Sequence, residues 1–141
     1  MEKRFLAIDI GGTTTKFALL TAEGEILSQG ERATEAEQGG PHIVERIKAL
    51  IREQELPLEG ICISTAGIVD EEAGEIIHAG PQIPNYKGTE WKKLVEAEFS
   101  IPCEVENDVN CAGLAEAVSG SGKDASITLC LTIGTGIGGC L

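Results

Sequence analysis

At 141 residues, with a net charge of −12 and a pI near 4.5, the chain has the length of one domain and lacks the basic face that nucleic-acid binding requires. No apolar run approaches the roughly 20 residues of a membrane span, and Glu2-Lys3-Arg4 leads straight into a strand rather than a signal peptide. The five cysteines form an odd set without a C-x-x-C pair, each in or beside an apolar segment, a pattern of reduced, mostly buried thiols in a cytoplasmic protein rather than a disulfide framework or a zinc site.

Phe5-Leu6-Ala7-Ile8 and Phe17-Ala18-Leu19-Leu20 have the composition of buried strands, and the Gly11-Gly12 pair falls where a hairpin must turn. Between them lies Asp9-Ile10-Gly11-Gly12-Thr13-Thr14-Thr15-Lys16. Glycines at such a turn permit positive φ and let backbone N–H groups approach a ligand, while threonine hydroxyls add donors, so the turn can hold phosphate oxygens. The Asp9 carboxylate would repel phosphate unless a hydrated magnesium ion stood between them. The other reading of the octapeptide is a plain hairpin with an exposed acid.

Glu25 to Gly30 reads as a third strand, so three antiparallel strands open the chain as a meander. Residues 33–40 read as a polar loop. From Pro41 onward Ile43, Ile47, Leu50 and Ile51 recur at helical spacing, with the proline where a first turn tolerates it. Gly60 to Ser64 suits a central strand, and crossing from strand to helix to strand implies a parallel pairing, hence a mixed sheet. Ligands in such sheets gather outside the carboxyl ends of the strands, which makes Gly67, in the turn at 66–70, a candidate pocket wall.

Residues 71–88 form an irregular excursion with a short strand at 75–78. A helix follows, with Thr89 as N-cap and Trp91, Leu94, Val95 and Phe99 on its apolar face. Cys103-Glu104-Val105 is a short strand that runs into Glu106-Asn107-Asp108, and then Cys111, Ala112, Leu114, Ala115 and Val118 mark a small-residue helix packed on a neighbour. On residue types alone, Asn107-Asp108 is a helix cap. His42 and His78 stand apart, without an evident acidic or cysteine partner. A strand at 127–133 delivers Gly134-Thr135-Gly136-Ile137-Gly138-Gly139, which is neither a Walker A loop nor a Rossmann fingerprint, since no helix or acid follows at the required spacing.

Taken together, DIGGTTTK at 9–16, STAGIVD at 64–70, GPQIPNYKGTEW at 80–91, VENDVNCAGLAE at 105–116 and LTIGTGIGG at 131–139 resemble, in order, the motifs of the ROK sugar kinases within the actin, hexokinase and Hsp70-like ATPase fold. The resemblance implies an α/β ribonuclease-H-like lobe, a mixed five-stranded sheet with helices on both faces, ATP as phosphoryl donor and a hexose-type acceptor, glucose-like at O6. By position it implies that Asp9 orients hydrated Mg2+, that Gly11, Gly12, Thr13, Thr14 and Lys16 form a first phosphate loop, and that Gly134, Thr135, Gly136 and Gly138 form a second. Asp108 matches the catalytic base and Asn107 a sugar ligand. Gly67 matches a backbone approach to the sugar, and Gln82 stands where many relatives have asparagine.

The family's later sugar-binding Glu and His and its zinc-binding cysteine cluster are not in this sequence, and Leu141 follows directly on the second loop. The expectation is therefore an N-terminal lobe, residues 1–141, of a longer cytoplasmic kinase that dimerises when complete and is inactive as this lobe alone. Within the same family a β-glucoside or N-acetylmannosamine kinase, or a sugar-responsive transcriptional regulator, are the alternatives. The regulators carry a helix-turn-helix before the first strand, where only four residues precede Phe5.

Overall fold

A computed structural model describes residues 2–55, 57–134 and 136–141. Where length alone fits one domain, the chain divides into two compact units, residues 1–106 and 107–141.

In the first unit β1 (Arg4–Ile10), β2 (Thr14–Thr21) and β3 (Ile26–Ala33) form the expected meander, and β4 (Gly60–Thr65) and β7 (Cys103–Asn107) complete a five-stranded sheet of order β3-β2-β1-β4-β7. The sheet is mixed: β1 pairs antiparallel with β2 and parallel with β4. Alternation along the strands sends Leu6, Ile8 and Ile10 of β1 and Ile61 and Ile63 of β4 into the core, while Asp9 and Cys62 stay exposed. Over the apolar side lie α1 (Gly40–Arg52), through Ile43, Ile47 and Leu50, and α2 (Trp91–Phe99), through Trp91 and Val95, all in one continuous core. Arg52 of α1 pairs with Glu98 of α2, and Lys48 Nζ lies 3.2 Å from Glu98 Oε2.

Several elements depart from the sequence expectation. The polar stretch after β3 holds a 3-10 turn (Ala36–Gln38), and α1 begins at Gly40, where the peptide N–H donates to Pro84 O at 2.8 Å. A side chain on Gly39 would stand 2.8 Å from Pro84 O, so the glycine pair lets residues 84–86 cross the start of the helix. Residues 66–70, read as a turn, contain β5 (Ile68–Asp70), which pairs with β6 (Glu75–His78). Thr89 is not the N-cap of α2: its hydroxyl donates to Tyr86 O at 2.6 Å, and Glu90 precedes the helix without a side-chain cap. Nor are the thiols mostly buried; Cys103 is buried, Cys62 lies on the outward face of β4, and Cys111, Cys130 and Cys140 are half-buried.

In the second unit α3 (Asp108–Ser119) packs on the hairpin of β8 (Cys130–Ile133) and β9 (Ile137–Cys140). The strand expected over 127–133 is confined to 130–133, and Ile127 and Leu129 are exposed. Gly113 permits the packing: a side chain there would meet Cys140 Sγ and come within 3.4 Å of Cys130 Cβ. No residue of α3 is buried, and Leu114 and Val118 are exposed, so the tight packing expected of this helix is limited to its glycine side. Among the described residues no helix is long and apolar enough to cross a membrane.

Tyr86 is buried with its hydroxyl 2.5 Å from Thr65 Oγ1 and 3.0 Å from the donating Trp91 Nε1, so Tyr86→Phe takes the acceptor from the Trp91 indole and leaves Thr65 only its 3.3 Å bond to Ala66 O, and should cost about 1–3 kcal/mol in urea unfolding. Burial, with a smaller contribution from Cys62, pushes the Cys103 thiol up to about 12. The folded pKa lies above the unfolded value of about 8.5, so this contribution is complete below that pH and fades as pH rises toward about 12. Cys103→Ala should flatten the alkaline limb of the stability profile between those limits, measured by denaturation at stepped pH.

Candidate functional site

The first turn is closed by a hydrogen bond from Gly11 N to Thr14 O at 3.1 Å. Neither Gly11 nor Gly12 has positive φ, so the left-handed freedom expected of them is not used. What requires glycine at position 11 is close approach, because a Cβ would stand 2.6 Å from Thr14 O; at Gly12 nothing lies within 4 Å. Gly12 and Thr13 are exposed. The backbone at Gly12 is thus open to a ligand, as a phosphate turn needs.

Asp9 and Lys16 are direct antiparallel partners, and Asp9 and Ser64 are direct parallel partners, so the three side chains share the sheet face opposite the core. Ser64 Oγ donates to Asp9 Oδ1 at 2.8 Å and fixes the carboxylate's orientation. An exposed carboxylate beside an open turn is a hard-oxygen donor of the kind hydrated Mg2+ takes, and Asp9 is the residue here that would hold it through water. Bound there, the ion would neutralise phosphate charge that the carboxylate repels.

The first-unit residues expected on the sugar side, Gly67 and Gln82, fall in two places. Ile10 and Thr65 are paired in register, so the turns at Gly11 and at Ala66-Gly67 leave neighbouring strands at the same end. Gly67 has φ +100°, and a Cβ there would stand 2.6 Å from His78 O, so the tight exit from β4 needs a glycine. Gln82 is exposed in the 79–90 segment, its side chain folded back against Gly80.

In the second unit Asn107 caps α3, its Oδ1 accepting from Val109 N at 3.0 Å and Asn110 N at 3.4 Å, which bears out the cap reading. Asp108, the first residue of the helix, is exposed, and its Oδ1 lies 2.9 Å from Val109 N. In the β8–β9 hairpin Gly134 N donates to Gly136 O at 2.9 Å, and both glycines sit in open space. Gly138 is a packing glycine, since a Cβ there would strike Val109 of α3. Thr135 lies outside the described residues.

Sequence reasoning assigned no role to Ser64 or Thr34, and it missed the pair of His42 Nε2 with Glu35 Oε2 at 2.7 Å. None carries a one-dimensional signal: Ser64 meets Asp9 across 55 positions and Thr34 meets Gly11 across 23.

The fold is that of an actin-like ATPase lobe, and solved sugar kinases superpose on it. A glucokinase from Streptomyces griseus, solved with glucose and AMPPNP, superposes with a TM-score of 0.84 at 33% identity, covering 96% of this chain and 43% of that one. The sequence model of the ROK family matches residues 5–141, and the chain belongs to the ROK family. Among curated proteins, an uncharacterized protein of Clostridium perfringens is 51% identical over 139 residues, and a β-glucoside kinase of Listeria monocytogenes is 38% identical over 136. These alignments cover 97% and 96% of this chain but 47% and 45% of the relatives, so the chain spans about half their length.

The two turn glycines should separate cleanly in thermal or urea unfolding. Gly11→Ala forces the turn apart and should cost about 1–3 kcal/mol, whereas Gly12→Ala should stay within about 0.5 kcal/mol of the parent.

Proposed function

We propose that this chain is the N-terminal lobe of an ATP-dependent ROK sugar kinase that transfers the γ-phosphoryl group to a sugar hydroxyl, with a glucose-like hexose attacked through O6. The observation that carries the reading is the Asp9 carboxylate, oriented by Ser64 and standing beside an open Gly-Thr turn. The relatives add weight: one is named a β-glucoside kinase, and another was solved with glucose and an ATP analogue.

In this reading Gly11, Gly12, Thr13, Thr14 and Lys16 cradle one part of the triphosphate, and Gly134, Thr135, Gly136 and Gly138 another. Asp9 orients hydrated Mg2+. Asn107, Gly67 and Gln82 orient the sugar; Asp108 takes the proton from the attacking hydroxyl as its oxygen bonds the γ-phosphorus, and ADP leaves. Phosphoryl transfer is mostly positioning and charge neutralisation, so one carboxylate within reach of the nucleophile is sufficient general-base equipment. The exposed Leu114, Val118, Ile133 and Ile137 fit a lobe that further chain covers, and the coverage of about half of each relative agrees with it.

A coupled assay of the intact protein with MgATP and a panel of hexoses, β-glucosides and N-acetylmannosamine tests the activity and names the acceptor. Asp108→Asn should lower turnover by about 10²- to 10⁴-fold while leaving nucleotide affinity in place. Unchanged turnover in that variant would remove Asp108 from the base role.

A further inference from the structure

Thr34 lies in the polar stretch after β3, and its side chain is 2% exposed. Its backbone N–H donates to Thr13 O at 2.8 Å, its hydroxyl donates to Gly11 O at 2.7 Å, and the same hydroxyl lies 2.9 Å from Thr15 Oγ1. One residue therefore grips the first Gly-Thr turn at three points on both sides of Gly12. In a trans peptide the C=O and N–H point in opposite directions. Drawing the carbonyl of Gly11 toward Thr34 thus turns the Gly12 N–H the other way, and the Thr13 carbonyl does the same for Thr14 N–H.

Thr34 is itself held from both sides. Glu35 has the left-handed backbone (φ 57°, ψ 45°) that a non-glycine residue adopts at a cost. Its carboxylate is fixed by His42 Nε2 at 2.7 Å, Gln38 Nε2 at 3.1 Å and Arg46 Nη1 at 3.4 Å. On the other side Arg46 Nη2 donates to Ala33 O at 2.8 Å. Helix α1 thereby fixes the residues before and after Thr34, and through Thr34 the turn.

We infer that Thr34 is a positioning residue for the first phosphate loop, aiming the Gly12 and Thr14 amides at a nucleotide phosphate. Gly12 leaves room for a ligand; the buried hydroxyl supplies the aim. This inference rests on the phosphate-binding reading of the 11–14 turn.

The test compares the intact protein with Thr34→Val, which keeps the shape and removes the hydroxyl, and Thr34→Ser, which keeps it. Thr34→Val should raise KM for MgATP about tenfold, the binding change that one ordinary hydrogen bond corresponds to, with KM for the sugar unmoved and Thr34→Ser restoring the parent value. Should Thr34→Val fail to fold, Arg46→Gln loosens the outer anchor and should shift KM for MgATP in the same direction by a smaller factor. A lowered Tm with an unmoved KM for MgATP, or equal shifts for both substrates, would overturn the assignment. Calorimetry with MgADP separates the two levels of argument. Loss of the sugar-kinase activity alone, with MgADP still bound and weakened by Thr34→Val, leaves the inference standing. Equal MgADP affinity in parent and Thr34→Val overturns the inference only, and no MgADP binding by the parent overturns both.

Discussion

The parallel pairing of β1 with β4 governs the first unit, because a single register sets both its core and its chemistry. With Ile8 opposite Ile63, the odd and even positions of both strands are assigned at once: isoleucines under α1 and α2, Asp9 and Ser64 on the other face. Side-chain direction in a strand has a period of two, so a slip of one residue would bury the carboxylate and expose the isoleucines. The burial of Ile8, Ile10, Ile61 and Ile63, each worth about 1.5–3 kcal/mol, is what forbids that slip and thereby holds Asp9 beside Ser64.

Around this frame the turns are held by buried hydroxyls. Thr34 and Thr15 face each other beneath the first turn, and Thr65 meets Tyr86 at the end of β4, where Tyr86 also accepts from Trp91. Among the described residues no buried side-chain nitrogen or oxygen lacks a hydrogen-bond partner. Buried polar groups that are fully satisfied specify one arrangement sharply, because each alternative leaves a donor or acceptor unpaired. The turns beside Asp9 and Gly67 are in this sense set from inside the protein.

The second unit uses a different device, small residues that let backbones approach. Gly113 admits the cysteines of β8 and β9, and Gly138 admits Val109, so helix and hairpin meet without a buried large side chain. Asn107 illustrates how a structural role and a proposed chemical one share a residue: its Oδ1 caps α3, and the cap fixes the start of the helix on which Asp108 sits.

The sequence by itself determined the strands and helices whose apolar periodicity is strong, the mixed order of the sheet that follows from strand, helix and parallel strand, and the first Gly-Thr turn with Asp9 beside it. Those features are local, encoded in spacing and in residue types with narrow backbone or packing preferences. It misplaced the start of α2, because a threonine hydroxyl can serve a loop carbonyl as well as a helix, and it gave the thiols too much burial, because an apolar neighbourhood does not say which face of a strand a residue occupies. Only the tertiary structure decided that Ser64 orients Asp9, that Gly11 is needed for close approach rather than for its φ, and that Thr34 fastens the first turn. The Ser64–Asp9 and Thr34–Gly11 hydrogen bonds join residues 55 and 23 positions apart, and a hydroxyl's partner is chosen by what folding brings within 3 Å of it, which no one-dimensional pattern records.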